Sequence, residues 1–126
     1  MRVAFLIIAI MLCVAATKGC CELCEGAQPA ARKVVALVFY FDGCVHCEVL
    51  HKDIDKTLKP IGWKVGAGGD IDYVDVYSTD TRKDKYGKIR SCPTIILIDG
   101  NEKEIGRSGS MSATKLSEWI NRERQK

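Results

Sequence analysis

Two rhythms of apolar residues run along the chain and divide it into elements. Residues 34–41 (VVALVFYF) form a continuous apolar, β-branched and aromatic run, the pattern of a strand buried on both faces. After a turn at Asp42-Gly43 the step changes. From Cys44 to Lys59 the apolar positions Cys47, Leu50, Ile54 and Leu58 recur every three or four residues, which predicts a helix that Pro60 stops. A glycine-rich loop (GWKVGAGGD) then leads to a strand at Ile71–Tyr77. Ser78-Thr79-Asp80 offers N-capping oxygens to a short helix that Gly87 ends. Thr94–Ile98 is a further apolar strand, and Asp99-Gly100-Asn101 turns it into a strand at about Glu102–Gly106. The last helix starts at Ser112, where Met111 and Leu116 stand at staple spacing, and it buries Leu116, Trp119 and Ile120.

This order, βαβα followed by ββα, predicts an α/β domain: a four-stranded mixed sheet with helices on both faces. Ahead of it the pattern differs. Met1-Arg2 gives a short positive start, and the fourteen residues Val3 to Ala16 carry no charge. That is the length of a signal-peptide core and short for a membrane span, and Val14-Ala15-Ala16 places small residues for cleavage after Ala16. A lipid anchor at Cys20, behind Gly19, and a retained apolar anchor are the alternatives. Each of the three exports the domain, and the membrane enters only through this N-terminus. Residues 17–33 are small and polar, broken by Gly26 and Pro29, and read as a linker or loosely ordered arm. The expected division is 1–16, 17–33 and a folded domain at 34–126.

A chain of 126 residues has room for one such domain, and 47% hydrophobic residues suffice for its core. The net charge of +3 is small and its cations are scattered among acids. No basic stripe with interleaved aromatics is present, which argues against nucleic acid as a partner. The seven cysteines change the picture. So many thiols suit an oxidising compartment, metal binding or redox work.

Cys44-Val45-His46-Cys47 falls where the first strand gives way to the first helix. Unpaired helical N–H groups and the helix dipole stabilise an anion there, so the Cys44 thiolate is favoured. Cys47 sits one turn on, within disulfide reach and less exposed. Cys44 is therefore the expected attacking sulfur and Cys47 the one that resolves a mixed disulfide. A partly cationic His46 beside the helix start lowers the Cys44 pKa further. It moves the expected potential into the oxidising half of the range between about −270 mV and about −120 mV. Ser91-Cys92-Pro93-Thr94 precedes a buried strand, a place that suits a cis proline opposite the pair, with backbone groups open to an extended substrate. Cys92 is either a small buried hydrophobe or a third sulfur near the pair, able to trap a disulfide or join a metal site. Cys20, Cys21 and Cys24 form a second cluster: a local disulfide or incidental thiols, or, in Cys21/Cys24, a relay pair for the main centre. His51 reads as a solvated helix residue, and Trp63 with the GAGG loop as local packing and turn.

These residues resemble the thioredoxin family. The likeness runs from about Val34 to Ile120, roughly two thirds of the chain, and rests on FYFDGCVHC, YGKIRSCPTIILIDGNE and GSMSATKLSEWI. The resemblance implies Cys44 as nucleophile, Cys47 as resolving thiol and Pro93 as the cis-proline. The His-containing pair is similar to that of bacterial periplasmic disulfide oxidases, whose large helical insertion is missing here. Gly43 stands where the family often has Trp, Val38 where it has a buried acid, and Lys52 where it has a kinking proline. Residues 17–33 hold no good counterpart of its first strand and helix.

The expected function is thiol–disulfide exchange with exported protein thiols and disulfides, served by an unidentified redox partner and needing no cofactor. Two other classes remain open. One is a metal carrier or sensor that binds Cu or Zn through the two C-x-x-C pairs and Cys92. The other is an interaction module with the fold and little turnover.

Overall fold

The structure is a computed structural model that describes residues 31–126. The leader at 1–16 and the arm cysteines Cys20, Cys21 and Cys24 lie outside the described residues.

Strand β1 (Val34–Tyr40) is the axis of the sheet. Its even positions Val34, Ala36 and Val38 face one side and its odd positions Val35, Leu37 and Phe39 the other, as a two-residue period requires. Strand β2 (Ile71–Asp75) pairs with it in parallel, with Val38 opposite Tyr73. Strand β3 (Thr94–Asp99) pairs with it antiparallel on the other side, with Phe39 opposite Thr94. Strand β4 (Glu104–Ser108) pairs antiparallel with β3, giving the order β2-β1-β3-β4. The expected four-stranded mixed sheet is what forms.

Helix α1 (Val45–Thr57) and helix α3 (Ala113–Arg124) cover the even face. Leu50, Ile54 and the capping Leu58 from one, and Ala113, Leu116 and Ile120 from the other, close on Val38, Ile95 and Leu97. Asp53 ties the two helices together, because its carboxylate accepts the Ala113 N–H at 2.7 Å. It satisfies an orphan donor at the start of α3. Ser112 caps the same helix, its Oγ accepting from the Lys115 N–H. Trp119 packs so close to β4 that a Cβ at position 106 would stand 2.6 Å from its ring, so that position is glycine.

The odd face is thinner. Leu37, Phe39, Val74, Ile96 and Ile98 pack with Tyr86 and Ile89, and the helix above them, α2 (Arg82–Lys85), is a single turn. The expected side-chain cap does not form, since Thr81 stands at the N-cap without a side-chain bond, and the upstream oxygens instead shape the turn into the helix. Ser78 Oγ accepts the Asp80 N–H and the Asp80 carboxylate accepts the Arg82 N–H.

Several boundaries differ from the sequence reading, and three of the differences have a clear local reason. Strand β2 ends at Asp75, whose carboxylate accepts the Tyr77 N–H and turns the chain outward. Strand β4 begins two residues later than expected. The Asp99 carboxylate accepts the N–H of both Asn101 and Lys103, and Glu102 takes a left-handed φ of 59°, so the connection is a four-residue loop. Helix α1 ends at Thr57, and Pro60 sits in a separate 3-10 turn at Lys59–Ile61.

Candidate active site

The route into α1 is set by Gly43, whose φ of 87° allows a tight turn. There the Cys44 N–H donates to the Phe41 carbonyl at 3.3 Å. Cys44 then takes the N-cap position with extended backbone, and its carbonyl accepts the Glu48 N–H at 3.0 Å. Its side chain completes the cap, Sγ accepting the Cys47 N–H at 3.2 Å. A sulfur in this position receives an N–H dipole and the positive end of α1 together, so in the dithiol form the charged state of Cys44 is stabilised. Cys44 and Cys47 are joined as a disulfide, their Cα atoms 5.2 Å apart. Both are buried, Cys44 at 6% and Cys47 at 1% exposure, so Cys44, the sulfur expected to attack, is the more accessible by a small margin.

The other wall of the site comes from the segment before β3. The Cys92–Pro93 peptide bond is cis. Thr94 Oγ1 donates to the Ser91 carbonyl at 2.6 Å and closes the loop on itself. The Cys92 carbonyl oxygen lies 3.7 Å from Cys44 Sγ. The Cys92 side chain is half-buried and free, and burial, with the Asp75 charge adding, raises its pKa above the usual thiol range. It is held protonated at neutral pH, the less reactive form. Among the described residues no three Cys, His, Asp or Glu side chains gather as a metal-ligand set.

Val45 and His46 point to solvent, Val45 at 67% exposure. Val49 is exposed one turn below Val45, and on the other flank Tyr77 packs edge-on to Phe41 with ring centroids 5.8 Å apart. Val45, Val49 and Tyr77 are thus accessible apolar side chains on the segments that flank the disulfide along the chain.

Comparison with solved structures decides the architecture. The malarial parasite's thioredoxin-2 superposes with a TM-score of 0.53 at 23% identity, over 72% of this chain and 84% of that one. The fold is thioredoxin-like. Thioredoxin f2 of Chlamydomonas reinhardtii gives a TM-score of 0.56 at 17% identity, over 81% of this chain and 89% of its own. A Malassezia sympodialis thioredoxin gives 0.55 at 24% identity, over 75% and 78%. No family model and no curated protein matches the sequence.

Within the thioredoxin-like frame, the site includes a group that the sequence reading placed elsewhere. His51 is not solvated. It lies half-buried against the strands, its ring 4.0 Å from that of Tyr73 and 5.0 Å from that of Tyr40. A helical period of three to four sets His51 one turn beyond Cys47, which was the available clue. Its Nε2 and the Tyr73 Oη are both buried without a hydrogen-bond partner. Burial lowers the His51 pKa, with the Asp55 and Glu48 carboxylates pulling the other way. Burial pushes the Tyr73 phenol up to about 12, with the Asp55 charge adding. Val38, at the position of the family's acid, is fully buried among apolar side chains. Trp63 does pack locally, and it also stacks beneath the Arg124 guanidinium at 5.3 Å.

Proposed function

We propose that this chain is a thiol–disulfide oxidoreductase that exchanges disulfides with exported protein substrates through Cys44 and Cys47. The observation that carries this reading is the position of Cys44 Sγ: it caps α1, is bonded to Cys47 and faces the Cys92 carbonyl at 3.7 Å. A substrate thiolate attacks Cys44 Sγ, forming a mixed disulfide and releasing the Cys47 sulfur. A second substrate thiolate then displaces Cys44, so the substrate loses two electrons and the cysteine pair gains them. The reverse sequence reduces a substrate disulfide. The sulfurs perform both steps, and no cofactor is needed.

Three features support the finer parts of the proposal. The exposed apolar side chains Val45, Val49 and Tyr77 suit contact with a polypeptide better than with a small thiol. The 91–93 segment offers a backbone carbonyl beside the reactive sulfur, as strand-like docking of an extended peptide requires. The uncharged run from Val3 to Ala16 supports export.

The test is a trapping experiment with Cys47→Ala. That variant should accumulate a disulfide between Cys44 and its partner protein that thiol reductant releases, and Cys44→Ala with Cys47→Ala should trap nothing. A single variant that captures no more protein than the double one overturns the proposal.

A further inference from the structure

Exchange leaves one proton unaccounted for by the two sulfurs. When Cys47 resolves a mixed disulfide it must first lose the proton on its thiol, and at 1% exposure it cannot hand that proton to bulk water. Burial also disfavours thiolate formation. A neighbouring side chain with a free lone pair is needed.

Helix α1 presents few choices. His46, Glu48, Lys52, Asp55 and Lys56 are exposed. Asp53 spends its two oxygens on the Thr57 hydroxyl and the Ala113 N–H. His51 remains, and its Nε2 is buried with no partner. Residues at i and i+4 of a helix stand one above the other, with Cβ atoms about 5–6 Å apart, and helical side chains lean toward the N-terminus. That geometry stacks position 51 above position 47 on one flank of α1. The strands contribute two phenols to the same place, Tyr40 edge-on to the imidazole and Tyr73 tilted against it. A phenol that titrates near 12 stays protonated and cannot serve as the base. The charged groups facing His51 are Glu48 and Asp55 on its own helix, and burial outweighs them, so the imidazole is neutral at pH 7. Buried polar atoms left unpaired are uncommon and weaken a fold. Here two of them, His51 Nε2 and Tyr73 Oη, lie on rings packed against each other one turn from the disulfide.

Resting on the reading of Cys44 and Cys47 as an exchange pair, we propose that His51 accepts the Cys47 proton during resolution of the mixed disulfide. The proton passes from Cys47 Sγ to His51 Nε2, and the Cys47 thiolate attacks Cys44 Sγ. The Cys44–substrate bond breaks, and the departing substrate thiolate is protonated by the imidazolium or by solvent. The substrate disulfide gains two electrons and the cysteine pair loses two. In the opposite direction the imidazolium protonates the Cys47 sulfur as it leaves.

The test uses the reduced protein and an aromatic disulfide, 5,5′-dithiobis(2-nitrobenzoate), followed by stopped flow. Attack by Cys44 releases a first coloured thiolate and resolution by Cys47 a second, so the two steps are timed separately. His51→Gln should leave the first rate unchanged and slow the second at least about 10-fold at pH 7, at the low end of general-base effects. The deficit should narrow as pH rises past the free-thiol value of about 8.5, where hydroxide increasingly takes the proton of the buried thiol. A second-phase rate that follows the parent at every pH overturns the proposal. Should that variant not fold, the parent's own profile decides. A rise of the second phase through a midpoint at or below about 6.5 supports His51, and a single midpoint at about 8.5 or higher, that of a thiol ionising unaided, overturns it. Absence of the first phase is a different failure: it sinks the exchange reading, and this proposal with it.

Discussion

The two faces of the sheet are held by different physics, and the site lies where they meet. On the even face two helices of three turns or more bury Leu50, Ile54, Leu58, Leu116 and Ile120 against the strands, and apolar burial fixes the geometry. On the odd face one helical turn covers a smaller cluster, and polar ties do much of the fastening. Arg82 bridges Asp72 and Asp80, Tyr86 Oη donates to the Glu102 carbonyl at 3.0 Å, and Arg107 donates to the Tyr86 carbonyl. The disulfide rides on the even-face helix. The segment from Tyr86 through Ile89 to Cys92 is seated on the odd face. The 3.7 Å approach of Cys44 Sγ to the Cys92 carbonyl is the contact between a rigidly packed half and a more lightly fastened one. The arrangement teaches a division of roles: burial sets the position of the sulfurs, and polar contacts set the position of the wall opposite them.

The hardest blow to this contrast falls on the even face. Ile54→Ala removes a fully buried side chain from the middle of α1 and should cost about 2–5 kcal/mol in denaturant unfolding. A loss under about 1 kcal/mol would mean that this face is no better packed than the other. Tyr86→Phe tests the odd face by removing a single hydroxyl while keeping the ring in its apolar cluster. It should cost about 1 kcal/mol. Amide exchange in residues 87–92 should quicken while that of α1 stays as it was. Equal acceleration in both places would show that the two faces open as one unit.

The even face was the more legible in the sequence, and the reason is the same. Apolar spacing reports burial, so β1, α1, β3 and α3 could be read from periodicity, and a strand-to-helix junction at Cys44 from the turn residues before it. Polar ties have no such period. Asp53 reaches Ala113 across sixty positions, and Arg107 reaches Tyr86 across twenty-one, and neither partner announces the other. The late start of β4 follows from one carboxylate, that of Asp99, catching two N–H groups, which a turn motif alone does not specify. His51 was misplaced because a lone histidine among Glu, Lys and Asp looks like part of a wet helix face. Only the arrival of Tyr40 and Tyr73 from the strands buries it.

The smallest expected effect isolates one link in the odd-face fastening. Arg107 is steadied by Glu104, its guanidinium bonding both carboxylate oxygens at 2.8 and 3.0 Å while it holds the Tyr86 carbonyl. The guanidinium holds the Glu104 carboxyl below the usual carboxylate range, against a burial that would raise it. A folded-state pKa below the unfolded one means stability that is present above the unfolded value, about 4.3, and lost as pH falls through the folded value. Glu104→Gln keeps the shape and removes the charge. The pair is about one third exposed, so the loss at pH 7 should be about 0.5 kcal/mol. The gap between parent and variant should narrow below about pH 4 and vanish once Glu104 is protonated, because the two side chains then carry the same charge. Other lowered carboxylates, Asp70 and Asp80 among them, weaken both proteins in acid and cancel in the comparison. Unfolding midpoints at pH 7 and pH 3 read the difference. A gap that persists unchanged at pH 3 would assign the effect of Glu104 to packing and remove this ion pair from the fastening of the 86–92 segment.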